Sequence, residues 1–199
     1  MRFPITLLVV FTIVSIWSFI GCKELFTWFL ECLPAFLGVI ILVLTYKTFK
    51  FSNLTYLAIF IQCVVLVVGG HYTYAEVPLF DWIKNTFHQT RNNYDKLGHF
   101  MQGFTPSIIV REIFLKKKVV NGKKWLSFIV ISIALAISAF YELIEWFVSV
   151  NTGSSGDAFL GTQGYIWDTQ SDMLTALIGS AVAIFLFKNI QNTSIKNTN

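Results

Sequence analysis

Six long apolar runs constrain the fold of this 199-residue chain more than any other feature. Each approaches the roughly 20 residues that an α-helix needs to cross a hydrocarbon core about 30 Å thick. Only 13% of the residues are charged, whereas an ordinary soluble domain has about 25%. Because a membrane span must satisfy its backbone hydrogen bonds internally, these runs predict helices. We therefore expect an all-α membrane protein, a bundle of about six transmembrane helices.

The predicted spans belong to one domain, residues 1–188. They lie at about 5–21, 26–46, 53–70, 97–114, 125–150 and 168–187. Gly98, Gly103 and Pro106 interrupt the fourth span, which predicts that it packs inside the bundle. Apolar side chains at helical spacing in residues 77–87 predict an amphipathic helix on the outer surface. The polar tail, residues 189–199, is expected to be cytoplasmic and disordered.

The distribution of Lys and Arg predicts the orientation of these spans. If the N-terminus is cytoplasmic, eleven of the 15 cations fall on the inner side and four on the outer side. The acids divide the opposite way, with Glu112 alone inside, and Glu31 and Asp157 among those outside. We expect a multi-pass protein of the bacterial plasma membrane with both termini cytoplasmic. Orientation explains the basic runs, so no nucleic-acid partner is needed.

A cleaved signal peptide is the alternative interpretation of residues 1–21. Ile20-Gly21-Cys22 faintly resembles a lipoprotein cleavage site. Against cleavage, the N-terminal region has a single arginine and the apolar run is long for a signal peptide. The sequence therefore favours a first membrane span.

Ionisable residues cluster at the outer ends of three predicted spans. The sets that share a helix face by their spacing are Asp95 with His99 and Gln102, Glu142 with Glu145, and Asp168 with Asp172. Such residues are costly in a bilayer and persist mainly where function requires them. Glu142 lies about 12 Å along the helix from the end of its span. It therefore needs a partner, and His99 is the obvious candidate.

These residues predict one polar pocket that faces outward. Its expected core, catalytic or metal-ligating, is His99, Glu142, Glu145, Asp168 and Asp172. The residues expected around it, in contact with a substrate, are His71, Asp95 and Gln102. Asp157 is interpreted as a solvated loop residue.

Three chemistries fit this set of side chains. Carboxylates and imidazole are ligands for a divalent metal such as Zn²⁺ or Mn²⁺. The same groups could form a metal-free acid–base pair, or bind a headgroup or relay protons without catalysis. The expected partner is a lipid or another envelope molecule at the outer leaflet, and both an enzyme and a binding protein remain open. A small transporter is disfavoured because the inner half shows no matching polar set.

Four motifs resemble the YjdF-like family of small bacterial inner-membrane proteins, which carry a domain of unknown function. The motifs are Gly70-His71-Tyr72-Thr73-Tyr74-Ala75, Asn93-Tyr94-Asp95-Lys96-Leu97-Gly98-His99-Phe100, Phe140-Tyr141-Glu142-Leu143-Ile144-Glu145-Trp146, and Phe159-Leu160-Gly161-Thr162-Gln163-Gly164 with Trp167-Asp168-Thr169-Gln170. The resemblance covers residue 69 to the end of the sixth span. It implies an acid after Gly164, where this chain has Tyr165.

The chain also faintly resembles VanZ-like proteins, which are associated with glycopeptide-antibiotic resistance. The matching positions are Asp95-Lys96-Leu97-Gly98-His99-Phe100, Glu142 and Asp172. This resemblance implies that the positions form one unit. It also keeps open a non-enzymatic role in the response to an antibiotic.

Overall fold

The computed structural model describes residues 2–152, 159 and 162–198, and within them it has helices and no strand. The helices are α1 (Arg2–Phe19), α2 (Leu25–Thr45), α3 (Asn53–His71), α4 (Pro78–Thr86), α5 (Tyr94–Lys117), α6 (Lys123–Thr152), α7 (Asp168–Phe185) and α8 (Lys188–Lys196). The predicted all-α class is confirmed. Asp157 lies outside the described residues.

Four helices, α1, α2, α3 and α6, are long and apolar enough to cross a membrane. A fifth candidate is α7 taken together with α8, a pair bent by 56°. The outer faces of α1 and α2 leave large apolar side chains exposed, such as Ile13 and Leu44. Apolar surface this extensive needs apolar surroundings.

The first three helices form one packing unit. α3 packs against both α1 and α2. Their shared core includes Phe11, Trp28, Ala35 and Ile59. The hydroxyl of Ser18 donates to the carbonyl of Val67 at 2.5 Å and accepts from Trp28 Nε1 at 2.8 Å, which ties the three helices together at one end.

α5 packs most extensively on α7. Glycines allow this contact, because a Cβ on Gly103 would clash with the backbone carbonyl of Ala176, and one on Gly179 with that of Phe100. Small residues are typical of closely packed membrane helices. α5 also contacts α3 and α6, so it lies inside the bundle, as its glycines and proline predicted.

α5 is longer than the predicted fourth span and more polar than the candidate spans. It contains buried His99, Arg111 and Glu112, and length and composition alone do not select it as a membrane span. The count of six spans therefore stays a prediction.

α8 corrects the prediction of a disordered tail. Its Gln191 is completely buried. The Gln191 Oε1 atom accepts from Arg111 at 2.6 Å, and its Nε2 donates to the carbonyl of Ile108 at 2.7 Å. Composition predicted disorder because few apolar groups offset the entropy of ordering. The hydrogen bonds to α5 help to offset that entropy, and composition could not indicate them.

The short helix predicted in residues 77–87 forms as α4, with Pro78 in its first turn. Leu79 and Trp82 on this helix are exposed. Its location at a membrane surface stays a prediction.

Candidate functional site

His99 lies at the point where α5, α6 and α7 meet. Its Nε2 is 3.2 Å from Asp95 Oδ1 and 3.9 Å from Asp172 Oδ1, and its Nδ1 is 3.6 Å from Glu142 Oε1. The structure therefore brings residues from all three predicted clusters together around one imidazole. The acidic cluster is the name used below for this histidine and the six acids around it, Glu31, Asp95, Glu142, Glu145, Asp168 and Asp172, with Lys96 and Arg91 as its cations.

The imidazole of His99 makes one hydrogen bond to a neutral group, since Nδ1 is 3.0 Å from Gln102 Oε1. Beyond it, Glu142 and Glu145 lie on the same face of α6 and are both buried. The Glu142 Oε1 atom has no hydrogen-bond partner among the described residues. One ligand atom each of His99, Glu142 and Glu145 fall within 4.8 Å of one another.

Lys96 neutralises the α7 side of the acidic cluster. Its Nζ lies 2.5 Å from Asp172 Oδ1, 2.9 Å from Asp168 Oδ1 and 3.8 Å from Asp95 Oδ2. These carboxylates therefore already have a cationic partner. The carboxylates of Glu142 and Glu145 have no lysine or arginine partner among the described ion pairs.

Arg91 is a second cation of the cluster that the sequence interpretation missed. It is buried, forms a salt bridge with Asp168, and lies 3.4 Å from Asp95 Oδ2. Its guanidinium also donates to the carbonyl of Thr162 at 3.2 Å. Arg91 precedes the first residue of α5, Tyr94, so its place in the cluster depends on the loop conformation and helical spacing gave no signal for it.

Asn92 anchors the segment before α5 to both neighbouring segments. Its backbone donates to Gln163 Oε1 at 3.0 Å and accepts from Gln163 Nε2 at 2.9 Å. Its side chain donates to Asp81 on α4 at 3.1 Å. The hydrogen bond from Lys84 lowers the pKa of Asp81. The Gly-Thr-Gln-Gly motif thus has a structural role, because Gln163 holds it against Asn92.

Tyr165 stands where the family resemblance implied an acid. Its ring centroid lies 5.6 Å from the Arg91 guanidinium and 5.8 Å from Lys96 Nζ. An acid there would face two cations. The aromatic ring offers them a weaker cation–π attraction instead.

Glu31 is a buried acid of the cluster that sequence reasoning did not assign to the site. Its Oε2 accepts from the Tyr141 hydroxyl at 3.2 Å, and the Tyr141 ring meets the His99 ring edge-on at 6.3 Å between centroids. Glu31 is the sole acid within the second apolar run. That isolation was the signal that could have found it.

His71 is not brought to the acidic cluster. Its Nδ1 lies 2.8 Å from the carbonyl oxygen of Ser18, and its ring stacks on Trp17 with centroids 4.6 Å apart. None of its described contacts reaches His99. The prediction grouped His71 with the site because it follows an apolar run that ends on the same side. The end of such a run predicts the depth of a residue in the membrane, but not which helices lie beside it.

Most acids of the acidic cluster and its histidine are buried, while Asp95 keeps a side-chain exposure of 16%. The exposed fractions of Glu31, His99, Glu142, Glu145, Asp168 and Asp172 range from 2% to 7%. The residues form a buried network in this structure, where an open pocket was expected. Six carboxyl groups, counting Asp95, face two permanent cations and one histidine.

A second buried polar group lies in the half of the bundle that was predicted to be the inner half, where no matching polar set was expected. Glu112 is completely buried and accepts from the Ser52 hydroxyl at 2.7 Å and the Thr55 hydroxyl at 2.5 Å, and its Oε1 lies 3.0 Å from Lys116 Nζ. It lies about 20 Å from His99 along α5. The sequence interpretation counted Glu112 only as the one acid of the inner side, because the sequence gives no sign of the hydroxyls that surround it.

Comparison with known proteins settles the family. The chain matches the family described as predicted membrane protein DUF2238 over residues 3–193. It belongs to the DUF2238 family. It is also 43% identical over 173 residues to the inner membrane protein YjdF of Escherichia coli (strain K12), covering 87% of this chain and 83% of that protein. The resemblance to the YjdF-like family is therefore confirmed, and the chain is a multi-pass membrane protein. No solved structure matches.

These matches extend beyond the motifs that first indicated the family. The DUF2238 match includes α1 and α2, where the sequence interpretation saw similarity in hydrophobicity alone. It also includes all the described residues of the acidic cluster. The VanZ-like resemblance stays a prediction.

Proposed function

We propose that this DUF2238 protein crosses the plasma membrane six times, with both termini cytoplasmic, α5 as the fourth span and α4 on the outer surface. Burial of Arg111 and Glu112 supports α5 as a span, because charges in a membrane are tolerated where protein surrounds them. The bias of Lys and Arg supports the orientation. The acidic cluster then lies in the outer half of the bundle.

We further propose that the cluster binds a divalent cation of the Zn²⁺ or Mn²⁺ class through His99, Glu142 and Glu145. The observation that carries this is Glu142 Oε1, a buried oxygen that has no hydrogen-bond partner in the described part of the chain and lies 3.6 Å from His99 Nδ1. Ligand atoms on tetrahedral Zn²⁺ are about 3.3 Å apart, given bonds of about 2.0–2.1 Å. The pair therefore needs to move by a few tenths of an ångström to hold the ion.

Asp95 would orient the histidine for this role. Its Oδ1 lies 3.2 Å from His99 Nε2, so Nε2–H can donate to it while Nδ1 binds the metal. Carboxylates commonly fix metal-binding histidines in this way. Nδ1 would first have to give up its present hydrogen bond, which Gln102 Oε1 accepts.

Asp95, His99 and Asp172 form a second group with suitable distances. Its carboxylates already bind Arg91 and Lys96. A metal ion that displaces those cations would cost more free energy than one that binds between His99 and the acids without a lysine or arginine partner. We therefore favour the set with Glu142 and Glu145.

A cation held by one imidazole and two carboxylates keeps a coordination position open, as catalytic zinc sites do. That position would polarise a carbonyl or phosphoryl oxygen of an envelope lipid headgroup. We infer a metal-assisted lipid hydrolase or transferase, and non-enzymatic binding of the lipid is the alternative. The closed cluster admits an ion more readily than a headgroup, so the catalytic branch also requires local opening.

The buried polar group around Glu112 supports a second candidate function, a small cation transporter, which the sequence disfavoured. Between it and the acidic cluster, the hydroxyls of Ser107 and Ser180 lie 2.7 Å apart in the bundle. Metal uptake into proteoliposomes, abolished by Glu112→Gln as well as by Glu142→Gln, would favour transport over lipid chemistry.

Metal content of the purified protein tests the proposal. Wild type expressed with Zn²⁺ and Mn²⁺ should retain close to one ion per chain, and His99→Ala and Glu142→Gln should lose it. His88→Asn is the matched control, since His88 is an exposed histidine away from the cluster. A folded wild-type protein that is metal-free and takes up no added Zn²⁺ would exclude the metal site. A lipid inventory of the same samples tests the partner.

A further inference from the structure

We propose a binding site for the phosphate headgroup of an anionic phospholipid at the end of the molecule opposite the acidic cluster. A cavity of about 610 Å³ opens where the segment after α2 meets the C-terminal ends of α5 and α8. Its lining includes Lys47, Lys50, Lys116, Lys117 and Lys118. We call these residues the lysine cavity. The site is independent of the proposed metal function.

The positive charge of the lysine cavity is largely uncompensated. Glu112 pairs with Lys116 at 3.0 Å but is completely buried and also bound by hydroxyl groups. In the described part of the chain, Lys47, Lys50, Lys117 and Lys118 make no salt bridge. Four ammonium groups around one cavity attract an anion.

Specific contacts within the protein bring lysines of this cavity together. The ring of Phe49 lies 5.5 Å from Lys116 Nζ and 5.7 Å from Lys117 Nζ, measured to its centroid. Lys116 also donates to the carbonyl of Lys50 at 2.8 Å. The orientation rule accounts for lysines in inner loops, but it does not require them to converge. Lys123 and Lys124 obey the same rule and do not line the cavity.

A lipid fits the lysine cavity better than a free phosphate does. The cavity is also lined by apolar Leu115 and Ile195, which a free anion would not need. Next to Lys47, the exposed side chains of Val43 and Leu44 continue the surface along α2. They offer acyl chains a path from a headgroup bound among the lysines. Basic pockets at membrane helix ends are typical sites for anionic headgroups.

Native mass spectrometry of the protein released from nanodiscs tests the site, with phosphatidylglycerol and phosphatidylcholine supplied in equal amounts. Wild type should retain phosphatidylglycerol at least tenfold over phosphatidylcholine. The triple variant Lys50→Gln, Lys117→Gln, Lys118→Gln should lose this preference. The triple variant Lys123→Gln, Lys124→Gln, Lys188→Gln removes the same charge outside the cavity and should keep it.

Several outcomes would overturn the proposal. Equal loss in the two triple variants would mean that net charge, not the cavity, selects the lipid. Complete displacement by excess inorganic phosphate would assign the cavity to a free anion. If the cavity triple variant does not fold, the single variants Lys50→Gln and Lys117→Gln decide, and an unchanged lipid preference in both would reject the site.

Discussion

The Lys96 ammonium lies 2.5 Å from Asp172 Oδ1 and joins the start of α5 to the first turns of α7. The same nitrogen lies 2.9 Å from Asp168 Oδ1. One cation therefore compensates two buried acids and links the two helices that pack most closely. The α7 side of the acidic cluster depends on this lysine for its charge balance.

Replacing Lys96 with Met should destabilise the protein by about 3 kcal/mol, because removing one partner of a buried ion pair leaves a carboxylate uncompensated. Thermal unfolding in detergent measures the effect. Lys84→Met, which breaks the more exposed pair with Asp81, should change stability by less than about 1 kcal/mol.

The double variant Lys96→Met, Asp172→Asn should recover part of the lost stability, since the uncompensated charge is removed with its partner. If the double variant is as unstable as the sum of the two single variants, the pair is not energetically coupled and the assigned role of Lys96 is wrong.

Gly103→Ala should cost about 3 kcal/mol or prevent folding, because its Cβ would overlap the backbone carbonyl of Ala176 on α7. Gly38→Ala in α2 is the control. Nothing lies within 4 Å of a Cβ there, so this change should be neutral or stabilising by up to about 1 kcal/mol. If the two variants unfold at the same midpoint, the close contact between α5 and α7 is wrong.

Gln191→Ala should release α8 from α5, because it removes the acceptor for Arg111 and the donor to the carbonyl of Ile108. Hydrogen–deuterium exchange should then rise across residues 188–196 and at Leu54, whose backbone donates to Ser194 Oγ, and stay unchanged in α2. The exposed neighbour Asn189 serves as control through Asn189→Ala, which should leave exchange as in wild type. Equal protection in the two variants would show that α8 is held by other contacts.

Cysteine labelling tests the proposed orientation. In a Cys22→Ser background, Ile166→Cys should react with a membrane-impermeant maleimide in intact cells, and Val119→Cys only after permeabilisation. Both positions are well exposed, at 83% and 58%, so access to the reagent depends on the side of the membrane. Labelling of Val119→Cys in intact cells would reverse the orientation, and the lipid-facing proposals would exchange leaflets.

Helical spacing predicted which residues share a face within one helix, but not which lateral neighbours they meet. Asp95 and His99 do lie together, 3.2 Å apart, as their spacing required. His71 lies at the end of the bundle that was predicted, but it packs on Trp17 and does not contact the acidic cluster. Arg91 and Glu31 were recognised as outer charges only. Their inclusion depends on a loop conformation and on the rotation of α2, and neither has a periodic signal.

The sequence by itself determined the helical class, the membrane environment, the family, and the set of acids and histidines at one end of the bundle. The family follows from the motifs that resemble it, and the other three follow from composition and from the 3.6-residue period, which act along the chain. Only the tertiary structure decided that Arg91 and Lys96 compensate one side of His99, that Glu142 and Glu145 face its other side uncompensated, and that α8 is ordered. Those outcomes depend on contacts between helices, such as the close approach of α5 and α7 that Gly103 allows.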